Sequence, residues 1–459
     1  MRAPPSPIRR VFVANRGEIA VRIVRACREF GAEVVVGTSD ADRDSLAARL
    51  ADRAVCIGPG PAADSYLRED TVVAAALGSG CDSIHPGYGF LAESPRVARL
   101  AREHGLVFVG PPAEVIELAG DKLAAKAEAE QAGLPVLGGE PLASPDLAAD
   151  VAARIGYPVL IKAAGGGGGR GIKLARDRSE LTALASVASS EAQSAFGDPR
   201  IYVERYIEAA RHIEVQIASD EHGEVIQLGE RDCSVQRRYQ KVIEEAPAPV
   251  LGAGTRDRVQ AAAVAFARAI SYRNLGTVEF ALDTQTGEFF FLEMNCRIQV
   301  EHPVSEAVTG VDLVCEQLAI ASGMPLSLAQ ADVAIRGHAV ECRLTAEDPA
   351  RGFAPSPGTI SRFSIPALPG LRVDTHCETG TIVPPFYDSL LAKLIGYGTD
   401  RTAAVDVLVR ALERSKIEGV ATNRELLLGV LRHPDFAAAA LSTRWLEETL
   451  DELAQAVPA

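Results

Sequence analysis

Near the amino terminus the run Arg10-Val-Phe-Val-Ala14 is apolar at successive positions, and then the period changes. Ile19, Ile23, Ala26 and Phe30 fall on one face of a helix from Glu18 to Phe30. Gly31 stops that helix, and Glu33-Val-Val-Val-Gly37 reads as a second strand. A strand, a helix and a strand in this order predict a parallel sheet, which Ser83-Ile84 and Leu106 to Val109 extend. Pro111-Pro112 and Gly120-Asp121 mark its exit, so a first unit is expected over residues 1–120. A central unit over 121–335 contains a smaller one at about 136–206, which closes on Arg200-Ile-Tyr-Val-Glu-Arg-Tyr-Ile207. From about residue 208 the apolar runs lengthen into antiparallel strands, among them Ala339 to Leu344 and Gly358 to Phe363. The last unit, 336–459, turns helical around Ala403 to Leu412 and again from Ala437 to Leu453, where Trp445 is expected to pack the tail down. The fold class read from this order is α/β, α+β overall.

One apolar run behaves differently. Residues 289–303 read Phe-Phe-Phe-Leu-Glu-Met-Asn-Cys-Arg-Ile-Gln-Val-Glu-His-Pro, so a strand suited to burial passes without a break into Glu293, Asn295, Arg297, Gln299, Glu301 and His302. Desolvated charges cost several kcal/mol each unless they are paired with one another, with a metal or with a ligand. Upstream, Leu275 to Asp283 alternates with period two, Thr284-Gln-Thr-Gly287 is a turn, and Glu288 to Met294 returns as the second arm of a hairpin. Pivoted near residue 286, this hairpin sets Glu279 opposite Glu293, where Cβ atoms are roughly 4.5–5.5 Å apart. Facing like charges repel, and Asn295 adds an amide nearby. Such a set predicts a hard divalent cation with oxygen ligands, Mg²⁺ with phosphate being the usual case and Mn²⁺ an alternative. By the same period Glu301 is expected on the strand face of Gln299, and Cys296 on the face away from Glu293 and Asn295.

A phosphate needs a cradle, and Pro158-Val-Leu-Ile-Lys162 leads into Ala163-Ala-Gly-Gly-Gly-Gly-Gly-Arg-Gly171. Backbone without side chains can approach an anion closely and aim its N–H groups at it. Gly166 to Gly171 fits the dinucleotide spacing G-x-G-x-x-G. A dinucleotide fold requires a helix after the glycines, whereas Ile172 to Ala175 is short and β-prone, so a β-hairpin flap is expected. No Gly-Lys pair occurs anywhere in the chain, which excludes the other common phosphate loop.

Composition sets outer bounds. The chain has 459 residues, 47% of them hydrophobic, enough for about three cores. Its formal charge of −14 gives no support to binding nucleic acid. No apolar stretch approaches a membrane span, and Met1 to Pro7 lacks a secretory apolar core, so a cytoplasmic protein is expected. The eight cysteines include no C-x-x-C pair and read as free thiols in apolar surroundings.

The glycine flap, the hairpin ending Phe291-Leu-Glu-Met-Asn295 and the segment Arg297-Ile-Gln-Val-Glu-His-Pro303 resemble the ATP-grasp enzymes, and among those the biotin carboxylases. The likeness runs along nearly the whole chain, through Val13-Ala-Asn-Arg-Gly-Glu-Ile19, His85-Pro-Gly-Tyr-Gly-Phe-Leu91, Gly120-Asp-Lys122, Glu230-Arg-Asp-Cys-Ser-Val-Gln-Arg-Arg238, Gln240-Lys241, Glu244-Glu-Ala-Pro-Ala-Pro249, Gly337-His-Ala-Val-Glu-Cys-Arg343 and Tyr387-Asp-Ser389. It implies a Rossmann-like amino-terminal domain, an ATP-grasp domain with a mobile lid, and an antiparallel carboxy-terminal domain.

The resemblance also implies roles. Lys122 and Lys162, with Gly168 and Gly169 of the flap, belong on the nucleotide phosphates. Glu204, Arg205 and Ile207 match the hinge that holds adenine. His212, Gln236 and Tyr239 complete the ATP site, although the family often carries His where Tyr239 stands and commonly Thr where Cys296 stands. Glu279, Glu293 and Asn295 hold the metal. Bicarbonate falls to Lys241, Arg297, Gln299 and the backbone N–H of Val300, with Glu301 as general base. Arg343 stabilises the biotin ureido anion and Tyr88 packs on its ring. The activity so implied is MgATP-dependent carboxylation of biotin by bicarbonate through carboxyphosphate, the first half-reaction of an acyl-CoA carboxylase such as that of fatty acid biosynthesis. Another carboxylate–amine ligase, a carbamoyl-phosphate-type enzyme and a nucleotide-binding regulatory subunit without turnover are the competing readings. Met1, Met294 and Met324 are the only methionines and none precedes Lys, so the chain lacks the Met-Lys pair at which biotin is attached. A separate biotin carboxyl carrier protein, a carboxyltransferase subunit and a homodimer are the expected partners. The final acceptor (acetyl-CoA, propionyl-CoA, another acyl-CoA or pyruvate) is not written in this chain.

Overall fold

The computed structural model describes residues 8–142, 144–165 and 172–456, so Gly168 and Gly169 lie outside the described residues. In the first part β1 (Arg10–Val13), β2 (Glu33–Ser39), β3 (Arg53–Gly58), β4 (Ser83–His85) and β5 (Val107–Phe108) form a sheet in the order β3-β2-β1-β4-β5. Every pairing in it is parallel, as the sequence predicts. The crossover helix α1 (Gly17–Phe30) buries Ile19, Ile23 and Ala26 against it. It ends at Gly31, whose φ of 84° is the left-handed cap that a side chain would strain.

Helix α2 (Lys122–Gln131) follows, its first N–H groups capped by Asp121. Then come β6 (Gly139–Leu142), β7 (Val159–Ala163), β8 (Lys173–Ala175) and β9 (Ile201–Arg205), in the order β6-β9-β7-β8. Ile161 pairs antiparallel with Lys173, so β7 and β8 are the two arms of a β-hairpin, and residues 166–171 between them lie outside the described residues.

The strands of the largest sheet are β10 (Ala210–Ser219), β11 (Val225–Arg237), β12 (Gln240–Ala246), β13 (Asn274–Asp283), β14 (Phe289–Asn295), β15 (His338–Thr345), β16 (Leu371–Thr375) and β17 (Leu390–Gly398). They make one antiparallel sheet in the order β14-β13-β10-β11-β12-β15-β17-β16, continuous across residue 335. One face is apolar. Ile213, Val215, Ile217, Val278 and Phe280 pack with Val259, Ala263 and Phe266 of the helix Ala253–Ala269. The alternate residues, Glu214, Gln216, Thr277 and Glu279, point to the other face and are buried as well. This second face carries the chemistry. Helices α3 (His302–Thr309), α4 (Leu313–Ala321) and α5 (Trp445–Ala456) complete the elements needed below.

Two expectations fail. Gly358 to Phe363 is not one strand: Gly358–Thr359 pairs with Ile382–Val383 and Arg362–Ser364 with Lys416–Glu418, because the backbone changes partner at the wholly buried Ile360. The tail is not helical from Ala437 either. The guanidinium of the buried Arg211 donates to the carbonyls of Ala439 and Leu441 at 2.7 and 3.1 Å, which keeps those carbonyls out of a helix, and α5 starts only at Trp445. Trp445 does pack the tail, its indole N–H donating to Asp435 at 3.0 Å.

Candidate active site

The β13–β14 hairpin has the register read from the sequence, with Glu279 opposite Glu293. Their repulsion is relieved from two directions. Glu293 takes the ammonium of Lys122, the first residue of α2, at 2.7 Å. Burial works to raise its pKa, but Lys122 outweighs it and holds Glu293 down at about 2. Glu279 instead accepts from Lys241 at 3.1 Å and from the amide of Asn295 at 2.7 Å, and faces His212 at 3.0 Å. Burial opposes a proton on His212, yet the carboxylates of Glu279 and Glu214 lift its pKa to about 10.

Lys162 on β7 lies against Glu204 of β9 at 2.5 Å, and Glu204 takes Lys126 at 2.6 Å on its other oxygen. Burial opposes its ionisation, but Lys162 and then Lys126 pull its pKa below the ordinary value. Lys126 was not singled out from the sequence, although it lies one helical turn from Lys122 on the same face of α2. Arg205 is exposed, while Ile207 is buried beside Leu137 and Ala281. Gln236 stands directly opposite Lys241 on the β11–β12 hairpin. Tyr239 occupies its tip with φ 64° and is 45% exposed, apart from the carboxylate cluster.

Lys241 is the hub. Its ammonium contacts Glu214, Glu279 at 3.1 Å and Glu301 at 2.7 Å. Glu214, which the sequence reading overlooked, is fully buried and also takes Arg231 through two N–H groups at 3.1 and 2.9 Å. The signal for it was alternation, since it follows His212 by two residues and faces Glu279 in register.

The expected strand face for Glu301 does not exist, because β14 ends at Asn295 and residues 296–301 turn. Pro303 belongs in the first turn of a helix, and Glu301 becomes the N-cap of α3. That turn still delivers its carboxylate to the site, with Lys241 on one oxygen and Arg343 on the other at 2.9 Å. Burial and then Glu214 work to raise its pKa, but Lys241, Arg343 and Arg231 prevail and it stays low. Arg297 donates to Gln299 and Asn295, each at 3.0 Å, and to Glu93 at 3.0 Å, another residue the sequence reading missed. Cys296 points away as expected, toward the Val115 carbonyl.

Arg343 on β15 is held by Glu244, which lies directly opposite Glu341. Neither oxygen of Glu341 has a hydrogen-bond partner among the described residues. Of these two buried acids Glu341 keeps its proton the more firmly, its pKa raised well above the ordinary value by burial; burial raises Glu244 too, to about 7, with the Arg343 guanidinium working against it. Tyr88 gives its hydroxyl to Glu18, which also holds Lys393 at 3.0 Å. Tyr88, Arg16, Gln240, His376, Phe386 and Asp388 line a cavity of about 490 Å³.

Family models match the chain in sequence order: "Biotin carboxylase, N-terminal domain" over residues 7–116, "Carbamoyl-phosphate synthase L chain, ATP binding domain" over 121–329 and "Biotin carboxylase C-terminal domain" over 341–448. The chain is 49% identical to a biotin carboxylase of Pseudomonas aeruginosa over 446 residues, 96% of this chain and 99% of that protein. The chain belongs to the biotin carboxylase family. Biotin carboxylases are ATP-dependent ligases, and the fold agrees. The structure superimposes with a TM-score of 0.95 on the biotin carboxylase domain dimer of the Hydrogenobacter thermophilus 2-oxoglutarate carboxylase, described in complex with MgADP, ADP and bicarbonate, at 44% identity over 98% of this chain and 99% of that one. A Campylobacter jejuni biotin carboxylase described with β-γ-ATP gives 0.94 at 42% identity, covering 96% of this chain and 99% of that one.

Proposed function

We propose that this biotin carboxylase binds MgATP and bicarbonate at the β13–β14 hairpin and carboxylates a biotin presented by a separate biotin carboxyl carrier protein, giving ADP, phosphate and carboxybiotin. What carries the reading is the unbroken series Glu279, Lys241, Glu301, Arg343, which joins the carboxylate hairpin to the Tyr88 side of the molecule through contacts of 3.1, 2.7 and 2.9 Å.

The donors fit Mg²⁺. Glu279 and Glu293 are hard oxygen ligands held in register, with the Asn295 amide beside them, and Lys122, the counterion of Glu293, is a long side chain that can move aside. Bound there, the cation would bridge phosphate oxygens and neutralise charge. Lys122 and Lys162 place the nucleotide phosphates, Lys126 assisting, and Gly168 and Gly169 are assigned to the phosphates with them. Glu204, Arg205 and Ile207 serve the adenine end, and His212, Gln236 and Tyr239 flank the nucleotide.

Bicarbonate is a planar anion, matched by the fork of Arg297 with Lys241, Gln299 and the Val300 N–H. Glu301, ionised between two cations, accepts the bicarbonate proton as the oxygen attacks phosphorus. Arg343 holds the negative charge that develops on the ureido oxygen, and Tyr88 packs on the ring. The partners proposed are the carrier, a carboxyltransferase subunit and a second copy of this chain; the Hydrogenobacter relative is described as a dimer. No described helix is long and apolar enough to cross a membrane, and we place the enzyme in the cytoplasm.

The test is bicarbonate-dependent ATP cleavage with and without free biotin. Stimulation of ADP release by biotin supports the reading; stimulation only by an amine or amino acid would make the chain a carboxylate–amine ligase. A streptavidin blot of the purified chain should be silent, and a biotinylated band would refute the need for a separate carrier.

A further inference from the structure

Val300 is gripped on both sides by residues that the reaction does not itself use. The Gln299 carbonyl accepts from Nδ1 of His302 at 2.7 Å and from the His302 backbone N–H at 3.4 Å. One peptide later, the Val300 carbonyl accepts from the Lys393 ammonium at 2.8 Å. His302 and Lys393 are both wholly buried. In a trans peptide the N–H points opposite to the C=O of the same plane, so anchoring the Gln299 carbonyl aims the Val300 N–H to the other side. Anchoring the Val300 carbonyl keeps the following plane from rotating. The Val300 N–H itself has no hydrogen-bond partner among the described residues, in a segment that also carries Arg297, Gln299 and Glu301. Val300 is half-buried, and an N–H left open in such a place is the mark of a donor awaiting an anion.

The protonation of the two anchors agrees. Burial, then Lys393, Arg22 and Arg372, push the His302 pKa well down, so the ring is neutral. A carbonyl only accepts, so the proton must sit on Nδ1. Lys393 stays charged because Glu18, at 3.0 Å, and then Asp374 work against its burial. Glu18 also takes the Tyr88 hydroxyl, so the ammonium that steadies Val300 is tied to the wall of the 490 Å³ cavity.

We propose that His302 and Lys393 are positioning residues that preset the Val300 N–H as a donor to bicarbonate; this rests on the reading that Val300 lines the bicarbonate pocket. His302→Leu removes the anchor on Gln299, whereas His302→Asn puts an amide N–H close to the place of Nδ1. The leucine variant should raise the bicarbonate KM about tenfold with the ATP KM changed less than about twofold, and the asparagine variant should recover most of that loss. Lys393→Met should act in the same direction. If it fails to fold because Glu18 is left unpaired, the His302 pair decides alone. Replacing the Val300 amide by an ester, through the corresponding hydroxy acid, deletes the N–H itself and separates the two ideas. An ester with an unchanged bicarbonate KM would overturn the placing of Val300 in the pocket. An ester with a raised KM beside a normal leucine variant would overturn the positioning role alone. Equal impairment of the leucine and asparagine variants, or a parallel rise in the ATP KM, would reduce His302 to a structural residue and overturn the proposal.

Discussion

At the nucleotide end of the site Lys122, Lys126 and Lys162 face Glu293 and Glu204, three cations against two anions, and each lysine touches a single carboxylate. At the carboxylation end His212, Arg231, Lys241 and Arg343 face Glu214, Glu244, Glu279 and Glu301, four against four, and Lys241 alone touches three carboxylates. The first arrangement leaves positive charge in surplus, and a polyphosphate can take the lysines over by exchanging one partner. The second is balanced and cross-linked before any substrate arrives, as a site must be to stabilise charge that develops during reaction. One end is built to be exchanged and the other to stay put.

The largest effect should follow from cutting the hub. Lys241→Met leaves three carboxylates without their shared cation, so bicarbonate-dependent ATP cleavage should fall on the order of 10³-fold and Tm should drop. Lys126→Met should be much milder, and equal losses would break the contrast between the ends. Next, Arg343→Ala should reduce biotin carboxylation on the order of 10²-fold while biotin-independent ATP hydrolysis stays within about threefold. Equal loss of both would move Arg343 to the nucleotide end.

Glu293→Gln sharpens the other side. It should weaken Mg²⁺-dependent turnover about tenfold with little change in Tm, and an unaltered Mg²⁺ titration would remove Glu293 from the metal set. The smallest effect concerns the proton on Glu341. Unfolding releases that carboxyl to its ordinary pKa, so above the ordinary carboxyl range the folded state binds the extra proton and stability falls as pH rises. Glu341→Gln should therefore sit within about 1 kcal/mol of wild type at about pH 5 and gain on it toward about pH 8, read from paired melting curves. A constant Tm difference would place the proton elsewhere.

Much of this was legible in the sequence because it is periodic. The β13–β14 register, the α1 crossover with its Gly31 cap and the β7–β8 hairpin around the glycines all follow from alternation and turn chemistry within a few residues. Glu301 shows the limit. Period two carried past Asn295 put it on a strand, whereas Pro303 starts a helix there, and only the distant cations Lys241 and Arg343 bring its carboxylate into place. Glu93, Glu244 and Lys393 were hidden for the same reason, since each acts on a residue between 93 and 204 positions away. The alanine-rich tail misled because its helix propensity is local, whereas Arg211, over 220 residues earlier, claims its carbonyls.

The contrast between the two ends can be read directly from the lysines, of which the chain has only seven, at 122, 126, 162, 173, 241, 393 and 416. With the side chains labelled at carbon and nitrogen, their NMR signals can be followed as a non-hydrolysable ATP analogue and Mg²⁺ are added without bicarbonate. Lys122, Lys126 and Lys162 should shift as they leave Glu293 and Glu204 for phosphate, while Lys241 and Lys393 hold their positions and the remote Lys416 serves as the reference. Shifts at Lys241 and Lys393 as large as those of the first three, or no movement in the first three, would contradict the division into an exchangeable and a fixed end.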